Sequence, residues 1–85
     1  MFYVYVIKSK KHESLYIGLT RDLRKRFFEH NQGLSRYTKS YAPFVLAYYE
    51  AYASEKDARI REKKLKKFKN SYTELKKRIT NSLRM

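Results

Sequence analysis

The sequence predicts an α/β protein of the α+β type: a small three-stranded antiparallel sheet flanked by about three helices. Three runs rich in β-branched and aromatic residues predict the strands, at Phe2 to Ile7, Leu15 to Leu19 and Phe44 to Tyr52. Elsewhere, apolar residues recur at helical spacing behind capping residues. A chain of 85 residues buries enough surface for one thin core, so residues 1–85 are expected to form a single domain.

The first two strands predict a hairpin with several aromatic side chains on one face. The run from Phe2 to Ile7 contains no charged position, which predicts a strand buried on both faces. Because side chains alternate along a strand, Tyr3 and Tyr5 share one face, and Tyr16 and Gly18 share one face of the second strand. If these faces coincide, three phenols lie above one patch of sheet, and Gly18 leaves a gap beside them.

A helix is predicted to begin after Thr20 as its N-cap, with Asp22 complementing the helix dipole in the first turn. It continues to about Asn31, and Gly33 ends it. The core-facing residues fall within one narrow arc, and Arg26 lies at its edge, so the guanidinium is expected to emerge beside the sheet. The core-facing residues are Leu23, Phe27 and His30.

The stretch from Leu34 to Pro43 predicts a loop in which aromatic residues alternate with cations and hydroxyls. This mixture suits a phosphate backbone and exposed bases. The alternative is a polar loop with two anchoring tyrosines, and the pattern supports both interpretations equally. Gly18, which leaves the gap in the hairpin, is a further candidate contact. The candidate nucleic-acid contacts are therefore Gly18, Arg36, Tyr37, Thr38 and Lys39.

Two Ser-x-x-acid capping boxes predict the remaining helices. The box at Ser54 opens a helix that runs to about Lys69, and the box at Ser71 opens a last helix that runs to about residue 83. The predicted inner face of the last helix comprises Tyr72, Leu75, Ile79 and Leu83.

Glu62 lies within the apolar stripe that Ala58, Leu65 and Phe68 define on the helix after Ser54. Burying an unpaired carboxylate costs several kcal/mol, so such a residue normally has a partner. The pattern leaves three interpretations open: an ion pair with Arg26, a divalent metal ion, or a side chain that simply reaches solvent.

The charge of the chain indicates a polyanionic partner. Lys and Arg number 21 against 8 Asp and Glu, which gives a net charge of +13. Nucleic acid is the leading class of partner, because a membrane surface usually requires one basic amphipathic face and these cations spread over several elements. The alternative is a solvated surface that is merely basic. It explains any single lysine well but explains the total net charge poorly.

The composition also excludes several classes of protein. The chain has no cysteine, so it has neither disulfides nor a thiolate zinc site. No apolar run approaches the roughly 20 residues that cross a bilayer, so we expect no membrane association. No export signal is visible at the N-terminus, and a cytoplasmic location is therefore expected.

Five short motifs occur in a fixed order over about residues 2–69. They are Tyr3-Val4-Tyr5, Tyr16-Ile17-Gly18, Arg26 ten residues after Tyr16, His30-Asn31 followed by Gly33, and Glu62. Together they resemble the GIY-YIG nuclease family, in particular its small stand-alone members, which are similar to the N-terminal catalytic domain of the bacterial excision-repair nuclease subunit. Tyr3 replaces the first glycine of the family, Leu19 stands where the repair enzyme has a lysine, and Asn70 is the candidate for a late asparagine.

The resemblance implies hydrolysis of a DNA phosphodiester, as in DNA repair, with one divalent metal ion, Mg²⁺ or Mn²⁺. Tyr16 is then the general base, although a free phenol titrates at about 10 and needs cations or hydrogen bonds to act at neutral pH. Arg26 supplies such a cation and stabilises the scissile phosphate, and His30 takes up or orients the phenolic proton. Tyr5 fixes the water or a phosphate oxygen, and Glu62 holds the metal.

The residue pattern alone favours sheet packing for Tyr5 and Tyr16 and helix termination for His30, and the resemblance reverses this most firmly for Tyr16.

Two other functions fit the same charge: a non-catalytic nucleic-acid-binding module and a structural RNA-associated protein. A protein that only binds nucleic acid gains nothing from an acid beside the phosphates, so Glu62 favours the endonuclease. Targeting to a DNA structure is expected to come from the loop around Tyr37 or from a partner protein.

Overall fold

The computed structural model describes residues 1–85 and contains a three-stranded antiparallel sheet between two helical layers. The strands are β1 (Phe2–Ser9), β2 (Leu15–Thr20) and β3 (Phe44–Tyr52), in the order β2-β1-β3. Because β1 is central, residues 4–7 are all buried, as the uninterrupted run predicts. The predicted α+β fold and its hairpin are confirmed.

The helices are α1 (Leu23–Asn31), α2 (Glu55–Lys67), α3 (Lys69–Arg78) and a single turn, α4 (Thr80–Leu83). Alternation along β1 determines which helices cover which face of the sheet. Val4 and Val6 face the layer formed by α2, α3 and α4, whereas Tyr5 faces α1 and the loop that follows it. None of these helices is long and apolar enough to cross a membrane.

The larger core lies between the sheet and the layer of α2, α3 and α4. Each predicted inner-face residue of the last helical segment is buried in this core or packs against it, so that prediction is confirmed. The buried residues of the core are Val4, Val6, Ile17, Ala58, Leu65, Leu75 and Ile79.

The helix α1 begins two residues later than predicted. Asp22, and not Thr20, is the N-cap, and its carboxylate accepts the backbone N–H of Lys25 at 3.1 Å. The hydroxyl of Thr20 instead accepts the N–H of Asp22 at 3.1 Å and so shapes the turn before the helix. Gly33 has a φ of 71°, which L-residues rarely adopt, and ends the helix as predicted.

The two predicted capping boxes have different outcomes. Ser54 is the N-cap of α2 and accepts the N–H of Asp57 at 3.3 Å, as predicted. The box at Ser71 is wrong, because α3 already begins at Lys69 and Ser71 lies inside it. Phe68 explains this: its N–H completes α2 while its carbonyl starts α3, so it leaves the apolar stripe and is 58% exposed.

Candidate active site

The predicted site residues meet around the edge strand β2, between α1 and α2. The register pairs Tyr5 with Gly18 and Ile7 with Tyr16, and directly opposed residues of an antiparallel pair point to the same face. Tyr3, Tyr5 and Tyr16 therefore lie on the α1 side of the sheet, as expected from the alternation. Because β2 has no neighbour on its outer side, α2 can reach this face around the strand.

Gly18 makes room for the phenol of Tyr5. A Cβ atom at position 18 would overlap the hydroxyl end of the Tyr5 ring, so any larger residue would displace it. The ring of Tyr5 therefore fills the gap that the sequence predicts beside the phenols. Gly18 is buried, which corrects its assignment as a nucleic-acid contact: it is a packing position.

His30 is fully buried and links two hydroxyl groups. Its Nε2 lies 2.8 Å from the hydroxyl of Tyr5, and its Nδ1 lies 2.7 Å from the hydroxyl of Thr38. Burial, reinforced by the charge of Arg26, lowers the pKa of His30 to about 4, so the imidazole is neutral at pH 7. A neutral imidazole donates one hydrogen bond and accepts one, which fixes one hydroxyl as donor and the other as acceptor.

Two residues of this chain are buried where the sequence predicts contact with a substrate. Thr38 is 3% exposed, so its hydroxyl serves His30 and is not a surface contact for nucleic acid. Tyr5 is 1% exposed, and burial raises its pKa to about 12 although Arg26 opposes the shift. The phenol therefore stays protonated, and it contacts His30 and Arg26 without facing solvent.

Arg26 lies beside Tyr5 with its guanidinium partly exposed. Its Nη1 donates to Glu29 at 3.0 Å and its Nη2 to the hydroxyl of Ser35 at 3.3 Å. The predicted position at the edge of the core stripe is observed. The ion pair with Glu62, one of the three interpretations of that acid, is absent because Arg26 pairs within its own helix.

Glu62 pairs with Lys66, four residues later on α2. The Lys66 ammonium lies 3.0 Å from the carboxylate and 5.8 Å from the centre of the Tyr16 ring. Lys66 therefore connects the acid of α2 with the phenol of β2. Lys66 remains exposed, and its four-residue spacing from Glu62 is the signal in the sequence for this pair.

Tyr16 completes a continuous cluster at the edge of the sheet. Its half-buried ring lies 5.2 Å from the His30 ring and 6.4 Å from the Tyr5 ring, centre to centre. The cluster runs in the order Glu62, Lys66, Tyr16, His30, Tyr5 and Arg26.

Glu62 is the carboxylate of this cluster that suits a metal ion. The structure contains no group of three or more His, Asp or Glu residues arranged as metal ligands. A single carboxylate that is 22% exposed nevertheless suits Mg²⁺, which keeps several of its waters and takes one or two protein oxygens. The residues fit such an ion provided that Lys66 releases the carboxylate.

A cavity of about 430 Å³ opens beside Glu62. Leu19, which stands where the repair enzyme has a lysine, lines this cavity and also packs against the core. Its apolar side chain brings no charge to the cavity. Arg21 and Arg59 line the same cavity and supply cations that Leu19 does not. Asn70, the candidate for the late asparagine, is exposed in the first turn of α3 and makes no side-chain hydrogen bond.

A second half-buried acid, Glu50, was missed by sequence reasoning. Its carboxylate accepts two hydrogen bonds from Nε and Nη2 of Arg61 at 3.0 Å each, and the hydroxyls of Tyr48 and Tyr52 also donate to it. Burial opposes ionisation, but these donors outweigh it and lower the pKa of Glu50. The signal was the alternating Tyr-x-Glu-x-Tyr pattern, which places all three side chains on one face of β3.

The loop after α1 presents three of the predicted nucleic-acid contacts to solvent. Arg36 and Lys39 are exposed, and Tyr37 is 79% exposed. These three residues flank Thr38, whose buried hydroxyl bonds His30 and holds the loop against α1. The side chains on either side of Thr38 face solvent. Their contact with nucleic acid stays a prediction.

Comparisons with known proteins give a consistent result. Residues 1–79 match the model of a family described as the GIY-YIG catalytic domain. A UPF0213 protein of Clostridium perfringens is 43% identical over 68 residues, which cover 79% of this chain and 72% of that protein. A UPF0213 protein of Staphylococcus haemolyticus is 42% identical over 67 residues, 78% of this chain and 80% of that protein. The solution NMR structure of a UPF0213 protein from Bacillus halodurans matches with a TM-score of 0.54 at 31% identity, covering 88% of this chain and 81% of that chain.

Proposed function

Because the chain belongs to the GIY-YIG catalytic domain family, we propose that it is a DNA endonuclease that depends on a divalent metal ion, Mg²⁺ or Mn²⁺. The observation that carries the proposal is the continuous cluster from Glu62 through Tyr16 to Arg26 at the open edge of β2. It brings together a phenol, an imidazole, a guanidinium and one carboxylate, which are the groups that metal-assisted phosphodiester hydrolysis requires.

Tyr16 is the proposed general base. It lies on the edge strand and is half-buried, so a water molecule can approach its hydroxyl from outside the sheet. The cation of Lys66 lies over its ring, and neutral His30 packs against its other side. These neighbours hold the phenol in place and stabilise negative charge that develops on it during proton removal.

Arg26 and Glu62 have separate proposed roles at the scissile phosphate. The guanidinium of Arg26 is held by Glu29 and Ser35 and retains exposed N–H donors for a phosphate oxygen. Glu62 would hold the metal ion, which supplies Lewis-acid stabilisation of the charge on the phosphate when bound. Tyr5 is a positioning residue in this scheme, because it holds His30 and lies against Arg26.

A plasmid-nicking assay tests the activity. The protein is expected to nick supercoiled plasmid with Mg²⁺ or Mn²⁺, and Glu62→Gln and Arg26→Ala should each abolish nicking. Glu74→Gln is the matched control, because it removes the same charge from an exposed acid on α3. A protein that binds DNA but cuts none with any divalent metal would overturn the proposal.

Metal binding without DNA tests the role of Glu62 separately. Glu62→Gln is expected to lose Mn²⁺ binding in a titration. Lys66→Met should tighten it by about two- to fivefold, because a partly exposed ion pair of up to about 1 kcal/mol no longer competes for the carboxylate. Lys63→Met removes the same charge from an exposed, unpaired neighbour and should have a smaller effect. Unchanged binding by Glu62→Gln would contradict the assignment.

The alternative function is a non-catalytic nucleic-acid-binding module that retains the fold. The observation that favours it is the ion pair between Glu62 and Lys66, which occupies the acid that a nuclease would use for its metal ion. The nicking and Mn²⁺ experiments separate the two functions, because a binding module would show neither cleavage nor metal binding that depends on Glu62.

A further inference from the structure

An open groove lies on the same face of the sheet as the candidate active site, but on the side of β3. Its volume is about 500 Å³. Tyr3, Leu46 and Tyr49 form its floor, and the first residues of α1 form one wall. None of the proposed catalytic residues lines it, although Arg21 lines both this groove and the cavity beside Glu62.

The groove exists because α1 is too short to cover the whole sheet. The nine residues of α1 pack over Tyr5 and the first residue of β3, Phe44, and leave Leu46 and Tyr49 further along β3 exposed. Tyr49 is 51% exposed, and its ring meets the ring of Tyr3 edge to face at 5.8 Å between centres. Two aromatic rings are thus held in a defined geometry with one side open to solvent.

Two guanidinium groups border these aromatic rings. Arg21 and Arg24 line the groove where α1 begins, and both are exposed. The acid at this rim, Asp22, is already engaged, because its carboxylate caps α1 by accepting the N–H of Lys25. The groove therefore combines the exposed Tyr49 ring with two guanidinium groups that have no acidic partner, of which that of Arg21 lies over the Phe2 ring at 5.4 Å from its centre.

This combination favours an unpaired nucleobase as the occupant. Aromatic side chains stack on any base, and arginines bind the neighbouring phosphates. A second copy of the chain is disfavoured, because two molecules that each carry +13 repel one another. An apolar side chain of a partner protein would fill the floor but leave both arginines unused.

We propose that this groove binds one unpaired base of the DNA strand that is cut, with Tyr49 as the stacking platform and Arg21 and Arg24 on the adjacent phosphates. This inference rests on the proposed function for the identity of the nucleic acid. Tyr3 precedes Tyr5 by two residues on β1, a separation of about 7 Å, so one strand of DNA can reach both the groove and the catalytic cluster. The substrate class is accordingly DNA with unpaired bases near the cleavage position.

Binding measured in EDTA tests the groove without cleavage. Two oligonucleotide duplexes are compared, one fully paired and one with a single unpaired base. Tyr49→Ala is expected to weaken binding of the second by about five- to hundredfold, which is the effect of losing one stacked base. Binding of the paired duplex should change by less than about twofold. Tyr41→Ala is the control, because this exposed tyrosine packs on His12 outside the groove.

Two further measurements separate stacking from a structural effect. Tyr49→Phe keeps the ring and should bind as the wild type does. With 2-aminopurine at the unpaired position, the wild type should quench fluorescence and Tyr49→Ala should not. Equal loss of affinity for both duplexes, no loss for either, or a Tyr49→Phe variant as weak as Tyr49→Ala would overturn the proposal. Because no cleavage is measured, a failure here leaves the nuclease proposal intact, and a failure to nick plasmid leaves the groove intact.

Discussion

At the scale of single residues, Tyr5, Gly18 and His30 depend on one another. The absence of a side chain at Gly18 admits the hydroxyl of Tyr5, and that hydroxyl completes one of the two hydrogen bonds of His30. The pattern of the sequence predicted a gap at Gly18 because glycine is rare in strands. It did not predict that Tyr5 fills the gap, since this depends on the register between β1 and β2 and on the rotamer of the Tyr5 side chain.

The buried His30 predicts a loss of stability on mild acidification. Its pKa is lowered to about 4 in the folded protein, whereas histidine in an unfolded chain titrates at about 6.5. The unfolded chain therefore takes up a proton first, so the contribution is complete above about pH 6.5 and is lost as the pH falls towards 4. We expect the free energy of unfolding to fall by up to about 3 kcal/mol through this group, as measured by urea denaturation at several pH values.

The variant His30→Gln isolates this contribution from that of the acids. It should flatten the dependence of stability on pH between about 4 and 6.5, and His12→Gln, which alters an exposed histidine, should not. If both variants retain the slope of the wild type, His30 is not the group responsible.

At the scale of secondary-structure elements, the bond between Glu50 and Arg61 fixes how α2 sits on the sheet. Glu50 projects from β3 and Arg61 from α2, and Arg61 directly precedes the proposed metal ligand Glu62. This ion pair therefore sets the rotation of α2 that directs Glu62 towards β2. The capping residue Ser54 predicted where α2 begins, but no local pattern predicts its rotation, because that is set by a partner 11 residues away in another element.

Removing Arg61 should destabilise the protein far more than removing its neighbour Arg59. Arg61→Met leaves the carboxylate of Glu50 largely buried without its cation, which is expected to cost about 3 kcal/mol. Arg59→Met breaks an exposed pair with Glu55 on the same helix and should cost less than about 1 kcal/mol. Urea denaturation measures both. In the double variant with Glu50→Gln, much of the loss should be recovered, and equal costs for the two arginines would contradict this role of Arg61.

At the scale of the whole molecule, the resemblance of the sequence named the candidate site residues, but the fold determines how they meet. The order β2-β1-β3 places Tyr16 on an edge strand, where α1 and α2 approach from opposite faces. The pattern of the sequence left three interpretations of Glu62 open, and none of them named a cation on α2 as its partner. The observed partner, Lys66, lies on the same helix and reaches Tyr16 around the open edge.

The distribution of charge over the molecule predicts a strong dependence of DNA binding on salt. With a net charge of +13, binding releases counterions, and the logarithm of the affinity should fall by about 0.9 per phosphate contacted for each unit of log salt concentration. Replacing Arg36 and Lys39 by Ala should reduce this slope by up to about 2, because both belong to the exposed loop on the α1 side. Replacing Lys76 and Lys77 on α3 removes the same charge from the opposite face and should leave the slope unchanged.

The measurement is fluorescence anisotropy with duplex DNA in EDTA over a series of salt concentrations. A flat profile would show that the cations do not form the binding surface, and equal changes in the two double variants would show that charge acts without regard to face.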